Sequence, residues 1–127
     1  MCGGTSLRSS NFEGNTQQDT KINPLAMNIY NFGEMLFSNY KWIDSGTSFY
    51  LPQSVQVESK TKTSGLAVQI YKDEVPYQEY RVKGSFSSGL NIPIAYLLDG
   101  YNNYYQLRLK NYGGGTIYLY GGQVYYK

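Results

Sequence analysis

The chain has 127 residues, which is the length of one ordinary domain and enough to bury a two-layer core without metal ions or crosslinks. It contains no histidine and a single cysteine, Cys2, so a Ser-His-Asp or Cys-His catalytic arrangement, a Cys/His zinc site and an internal disulfide are excluded. The formal net charge is only +2 and the basic residues are scattered, which argues against nucleic acid as a partner. No apolar run approaches the roughly 18 residues of a membrane span, and we predict no bound metal and no cofactor.

Residues 1–23 differ in composition from the rest, being rich in Ser, Thr, Asn, Gln and Gly with no sustained hydrophobic period. That composition predicts a flexible N-terminal arm, followed by a folded domain over residues 24–127. Fully extended, about 20 residues reach up to roughly 65 Å, enough to cross one domain and add a strand to the sheet of a neighbouring copy. We therefore expect the arm to contact another copy through Cys2 and the large apolar residues Leu7 and Phe12.

Cys2, near the tip of this arm, has three interpretations that the residues leave open. It carries a lipid after removal of a signal peptide, or it crosslinks to a neighbouring subunit, or it is inert. Met1 precedes it, which weighs against the lipid, and no apolar segment of a signal peptide is visible after Met1.

After Pro24 the chain is a succession of short alternating segments separated by Gly, Pro, Asn and Asp, which predicts strands joined by turns. Before the C-terminal stretch, the predicted strands cover residues 27–32, 35–43, 48–51, 53–58, 66–72, 77–83 and 90–98. The inward-facing residues of the two clearest segments are Val55, Val57, Leu66, Val68 and Ile70. Pro93 lies inside the last segment and favours an edge strand there.

The C-terminal stretch has the clearest alternation in the chain. Between residues 104 and 110, Tyr105, Leu107 and Leu109 face one side, and polar or charged side chains face the other. Three consecutive glycines at 113–115 then predict a reversal, and a second alternating run follows from residue 116. We predict an antiparallel hairpin, with a β-bulge at the glycine pair 121–122.

About eight or nine strands at this spacing, with no helical period, predict an all-β fold. The predicted architecture is a two-sheet antiparallel β-sandwich, jelly-roll-like, with an extended N-terminal arm. An immunoglobulin-like sandwich is disfavoured because the Cys…Trp…Cys spacing is missing.

The 15 tyrosines are the main anomaly of the composition. Tyr118 and Tyr120 alternate with Ile117 and Leu119, so one of the two sets faces away from the core. An outward row of rings has three interpretations, namely contact with another copy, contact with a sugar, and coverage by the chain itself. The candidate ligand platform consists of Tyr101, Tyr104, Tyr118, Tyr120 and Tyr125, with hydrogen bonds from Asn102 and Gln123. The candidate assembly contacts are Cys2, Leu7, Phe12, Tyr118 and Tyr120.

A small β-sandwich behind a cysteine-bearing connector resembles, in layout alone, bacterial surface-fibre subunits such as those of spore appendages. Their connector has several cysteines, which Met1-Cys2-Gly3-Gly4 does not match, so no residue roles carry over.

We expect a non-enzymatic structural protein that assembles with copies of itself into an extracellular filament, shell or particle surface. The alternative is a secreted or lipid-anchored carbohydrate-binding module. A third interpretation is a small hydrolase that uses a pair of carboxylates. Its candidates are Glu34, Asp44, Glu58, Asp73, Glu74, Glu79 and Asp99.

Overall fold

The computed structural model describes residues 27–99 and 103–127, and these residues form an all-β sandwich. The predicted arm therefore lies outside the described residues. The strands are β1 (Asn28–Phe32), β2 (Met35–Phe37), β3 (Tyr40–Trp42), β4 (Phe49–Tyr50), β5 (Pro52–Ser59), β6 (Thr63–Ser64), β7 (Leu66–Lys72), β8 (Val75–Arg81), β9 (Ser85–Phe86), β10 (Gly89–Pro93), β11 (Tyr104–Asn111) and β12 (Ile117–Tyr126).

Two antiparallel sheets make up the sandwich. In the first sheet β12 lies between β5 and the pair β1 and β2, and β10 forms the edge beyond β5. In the second sheet β11 lies between β7 and the pair β3 and β4, and β8 forms the edge beyond β7. A short pairing of β6 with β9 joins the loops at one side.

The connectivity is that of a jelly roll. When β1 with β2, and β3 with β4, are each counted as one interrupted edge strand, the long strands follow the order 1-8-3-6 in the first sheet and 2-7-4-5 in the second. Each pairing therefore joins an early strand to a late one, as in a single antiparallel ribbon that is rolled into two sheets. The predicted fold class is confirmed.

The tip of this ribbon is the tight turn between β7 and β8. Asp73 and Glu74 both have positive φ, 52° and 65°, as a two-residue hairpin turn of the primed type requires. The backbone N–H of Glu74 also donates to Oε1 of Gln106, 2.9 Å away, which ties the turn to β11.

The core lies between the two sheets and contains the inward residues that alternation predicts. Val55, Val57 and Leu107 have no exposed surface, and Leu66, Val68, Ile70 and Leu109 are also buried. The predicted inward residue Tyr105 is fully buried, and its hydroxyl donates to Oδ1 of Asp99 at 2.7 Å. Burial, followed by this hydrogen bond, raises the pKa of Tyr105, so the phenol remains protonated.

The predicted C-terminal hairpin is wrong. β11 belongs to the second sheet and β12 to the first, so the segment between them crosses from one sheet to the other. The buried side chain of Asn111 stabilises this crossing, because its Nδ2 donates to the carbonyl of Gly115 at 2.7 Å and its Oδ1 accepts from the N–H of Gly113 at 2.8 Å. Glycines allow a crossing between sheets as readily as a hairpin turn.

Two other predicted strands change in the structure. The single strand at 35–43 is divided, since β2 and β3 belong to different sheets and the chain crosses between them at Ser38 and Asn39. The strand at 90–98 ends at Pro93, and a short 3-10 turn follows at Ala95–Leu97. β10 is an edge strand, as Pro93 indicated.

Candidate interaction face

A β-bulge in β12 determines which side chains share the outer surface of the first sheet. Leu119 lies opposite Ser59, but Gly121 lies opposite Glu58, so two residues of β12 are matched by one of β5. The predicted bulge is confirmed at Gly121. Because an extra residue reverses the alternation of side chains, Gln123 and Tyr125 point to the same side as Tyr118 and Tyr120, whereas Val124 is buried.

We call this outer surface of the first sheet the first face. Registers and burial assign to it Ile29, Asn31, Leu36, Ser54, Gln56, Glu58, Asn91, Tyr118, Tyr120, Gln123 and Tyr125. Four residues of the predicted sites, Tyr118, Tyr120, Gln123 and Tyr125, thus lie together on one surface.

Four primary amides cross the first face in a single row. Asn31 lies opposite Gln123, Gln123 opposite Gln56, and Gln56 opposite Asn91. The row therefore contains one residue from each of β1, β12, β5 and β10. Adjacent strands are about 4.8 Å apart, which sets the spacing of the amides. We call these four residues the amide row.

Only some of the donors and acceptors of the amide row have hydrogen-bond partners among the described residues. Nε2 of Gln123 donates to Oδ1 of Asn31 at 2.8 Å, and the hydroxyl of Tyr125 donates to Oε1 of Gln123 at 2.6 Å. The same hydroxyl lies 3.3 Å from Oε1 of Gln56. Asn91 makes no side-chain hydrogen bond to any described residue, so the row presents amide donors and acceptors at the surface.

Large apolar side chains flank the amide row on both sides. Ile29 is 49% exposed opposite Tyr125, and Leu36 is 62% exposed opposite Tyr118. Tyr120, on the same side as Tyr118, is 58% exposed. Such a concentration of exposed large side chains on one surface is typical of a contact region.

Lys60 borders the tyrosine end of the first face. Its ammonium lies 4.1 Å from the ring centre of Tyr118 and 5.1 Å from that of Tyr120, and it pairs with Glu34 at 2.6 Å. The hydrogen bonds to Glu34 and then to Tyr118 raise the pKa of Lys60. The cation is therefore balanced locally and adds no net charge to the face.

The outer surface of the second sheet, which we call the second face, has a different chemistry. Its residues include Tyr40, Trp42, Ala67, Gln69, Tyr71, Glu79, Arg81, Gln106, Arg108 and Lys110. The cations of this face are Arg81, Arg108 and Lys110 and its carboxylate is Glu79, so these residues carry a net charge of +2.

A row of four residues crosses the second face as the amide row crosses the first. Trp42 lies opposite Arg108, Arg108 opposite Gln69, and Gln69 opposite Glu79. The guanidinium carbon of Arg108 lies 5.2 Å from the ring centre of Trp42, and its Nε donates to Oε1 of Gln69 at 2.7 Å. Gln69 in turn donates to Glu79 at 2.8 Å. We call these four residues the arginine row.

Glu79 ends the arginine row and accepts three hydrogen bonds from other side chains. It accepts from the hydroxyl of Tyr112 at 2.5 Å and from Nε of Arg81 at 2.9 Å, besides Gln69. Burial by itself raises the pKa of Glu79, but the hydrogen bonds from Tyr112, Arg81 and Gln69 outweigh it, and the pKa lies below its usual range.

The side chains of the second face also cover the sheet beneath them. Ala67 points outward between Lys110 and Arg81, yet it has no exposed surface. The guanidinium of Arg81 lies 3.9 Å from the ring centre of Tyr112, and that of Arg108 lies 4.0 Å from that of Tyr40. The charged and polar side chains of the second face thus hydrogen-bond to, or stack on, other side chains of the protein.

A depression of about 440 Å³ lies beside the β7–β8 hairpin and is lined by Gln69, Ile70, Tyr71, Pro76, Tyr77, Gln78 and Glu79. Glu79 is the one carboxylate in its lining, whereas the hydrolase interpretation needs two in a concave site. Gln69 and Glu79 are already engaged by neighbouring side chains.

The described structure does not place the remaining predicted site residues next to one another. Tyr104 is exposed but belongs to β11 in the second sheet, where its ring lies 5.0 Å from that of Tyr50. The other five, Cys2, Leu7, Phe12, Tyr101 and Asn102, lie outside the described residues.

Sequence reasoning missed Asn31, Gln56 and Asn91, and also the stack around Arg108. Gln56 was visible as an outward residue of an alternating strand, but only the register shows which amides are neighbours.

Over residues 27–99 and 103–127, no three side chains of His, Cys, Asp or Glu cluster as metal ligands. Within the same residues, no helix has the length and apolar character needed to cross a membrane.

No protein-family model matches this chain, and neither the curated proteins nor the solved structures provide a significant match to it.

Proposed function

We propose that this chain is a non-enzymatic structural protein that assembles with copies of itself through the first face and the N-terminal arm. The product is an extracellular filament, a shell or the surface of a particle. The observation that carries the proposal is the concentration of Ile29, Leu36 and Tyr120 beside a partly satisfied amide row on one side of the sandwich.

The charge of the two faces supports this choice of surface. Glu58 is the one charged residue that the registers assign to the first face, while the second face carries a net charge of +2. Depletion of charge with enrichment of tyrosine is typical of the buried centre of protein interfaces. The second face would bring like charges together if two copies met there.

The arm has a complementary role in the proposal. The described part of the chain begins next to β1, an edge strand of the first sheet, so the sequence of the arm joins the body at the border of the first face. Cys2, Leu7 and Phe12 would add contacts to a neighbour, and a tethered second contact raises the overall affinity without a new surface on the body.

Size-exclusion chromatography with light scattering on the full chain, and on a chain shortened to begin at Asn23, tests the proposal. We expect the full chain to assemble and the shortened chain to associate more weakly. If both elute as monomers at high concentration, the proposal is wrong.

A second candidate function is carbohydrate binding, which the amide row and Tyr125 specifically favour. Amides that can both donate and accept suit the paired hydroxyls of a sugar, and a tyrosine ring offers a stacking surface. Glycan-array binding that is lost in Tyr118→Ala, Tyr120→Ala and Gln123→Ala variants of a monomeric chain would support this candidate. An empty array would count against it.

A further inference from the structure

We infer that two copies pack with first face against first face about a two-fold axis, with the amide row of one copy against the amide row of the other. This inference rests on the proposed function and names the partner and the geometry of its contact. A two-fold contact brings the same patch together from both copies, so the patch must complement itself.

The amide row meets that requirement chemically. A primary amide carries two donors and an acceptor, so a row of amides can pair with an identical row, whereas a row of lysines or of glutamates cannot. Asn91 has no side-chain hydrogen bond to a described residue, and Nε2 of Gln56 donates to none of them either. These groups are available for the opposing row.

The flanking residues are compatible with the same arrangement. Apolar or aromatic side chains lie on both sides of the row, with Ile29 and Tyr125 on one side and Leu36 and Tyr120, next to the carboxylate Glu58, on the other. When two such faces stack, apolar groups meet apolar or aromatic groups on either side of the amides, as in the stacked sheets of a sandwich. Exposed aliphatic residues add nothing to sugar binding, which is why a second copy fits this face better than a glycan.

The size of the face predicts the strength of the contact. Four strands give a width of about 19 Å, and the seven steps from Tyr118 to Tyr125 span about 24 Å. This flat area of about 450 Å² lies below the roughly 800 Å² that a stable interface buries on each partner. The face-to-face contact alone is therefore weak, with dissociation in the micromolar to millimolar range, and the arm is needed for a durable assembly.

Charge complementation at Gln56 tests the geometry on the full chain. Gln56 is exposed near the middle of the row, so Gln56→Glu and Gln56→Lys each place like charges close together across a two-fold contact. We expect sedimentation analysis to show at least tenfold weaker association for each variant alone. An equimolar mixture of the two should recover the wild-type association or exceed it, because opposite charges then face each other.

The matched controls are Gln78→Glu and Gln78→Lys, which alter an exposed glutamine of β8 at the edge of the second sheet. These should associate like the wild type, and thermal unfolding should show all four variants folded. If the Gln56 mixture is not restored, or if either Gln56 variant alone assembles normally, the two-fold geometry is wrong even though assembly persists.

Failure of the proposed function gives a different result, because the wild-type chain itself would then remain monomeric. A monomeric chain that binds a glycan, and loses that binding in both Gln56 variants, would overturn the two-fold inference in favour of a sugar site.

Discussion

The first and second faces are built on equivalent sheets of one jelly roll, yet they differ in how far their side chains satisfy one another. On the second face, the arginine row runs from ring to cation to amide to carboxylate, and each member contacts the next. On the first face, the amide row ends at Asn91 without a side-chain partner among the described residues. Among the described residues, the side chains of the second face therefore hydrogen-bond and stack mainly with one another, whereas the first face leaves amide groups exposed at its surface.

The two rows also differ in what they contribute to a single copy. Hydrogen bonds to charged groups stabilise a fold by about 1.5–3 kcal/mol each, and cation–ring contacts by about 0.5–2 kcal/mol. Exposed neutral amides contribute little until a partner removes them from water. Stability should therefore depend mainly on the second face, and association mainly on the first.

The largest expected effect comes from removing the close packing that the glycines of β12 permit. A Cβ on Gly122 would lie 2.1 Å from the carbonyl oxygen of Gln56 and 2.5 Å from Cζ of Phe32, so Gly122→Ala should force strands of the first sheet apart. We expect a loss of about 3 kcal/mol or more in the free energy of unfolding. Chemical denaturation measures this loss of stability. The control is Gly114→Ala, whose Cβ would lie in open space, and it should lower the free energy of unfolding by under about 1 kcal/mol. Equal losses would contradict the tight packing.

Next in size is a test of the stabilising role of the second face. Arg108→Ala removes the stack on Tyr40, Trp42 and Tyr71 together with the hydrogen bond to Gln69, and should lower the free energy of unfolding by about 2 kcal/mol. Association should be unchanged. Arg108→Lys, which keeps the charge but not the planar group, should recover only part of the loss.

Gln123→Ala is the matched change on the first face. It should cost under about 1 kcal/mol in stability while weakening association, which is the reverse of the Arg108→Ala result. If both substitutions affect stability equally and association not at all, the division of roles between the faces is wrong.

A third test compares two tyrosines of nearly equal exposure on different sheets. Tyr120 is 58% exposed on the first face, and Tyr104 is 61% exposed on β11. Tyr120→Asp should weaken association about tenfold, or about 1.4 kcal/mol, because it places like charges in the contact. Tyr104→Asp should leave association unchanged, and sedimentation of both variants at equal concentration measures the difference.

The smallest expected effect is a dependence of stability on pH through Glu79. Its pKa in the folded state is lowered by its hydrogen bonds, relative to about 4.3 in an unfolded chain. Its stabilising contribution is therefore complete above that value and is lost as the pH falls through the folded pKa. Glu79→Gln should lower the melting temperature at pH 7 and have a smaller effect at pH 3. A constant difference between wild type and variant across this range would exclude the role of the charge.

Alternation along the strands was sufficient to predict the core and the fold class. Tyr105, Leu107 and Leu109 are buried as predicted, because the period of two depends only on neighbouring residues of one strand. The partner of each strand was not predictable in the same way. β11 and β12 are consecutive, but their partners β7 and β5 come from much earlier in the chain.

The candidate face was predictable only in part, for the same reason. Tyr118, Tyr120, Gln123 and Tyr125 belong to one strand, and the glycine pair at 121–122 was a visible signal of the bulge that aligns them. The amide row combines residues from four strands, and the arginine row likewise joins Trp42 to Arg108. The alternation of residues along one strand does not predict which residues of another strand lie opposite them.

The position of β12 has a consequence for how the protein is made. This strand is hydrogen-bonded on one side to β1 and β2 and on the other to β5, so β1 and β2 are not joined to the β5–β10 pair until residues 117–126 have been synthesised. Until then β1 and one edge of β5 lack their partner strand β12 and expose strand edges to other nascent chains. The second sheet, with its β7–β8 hairpin, can begin to form earlier, and the first sheet closes last. The first face, which takes Tyr118, Tyr120, Gln123 and Tyr125 from β12, is therefore incomplete while the chain is still growing.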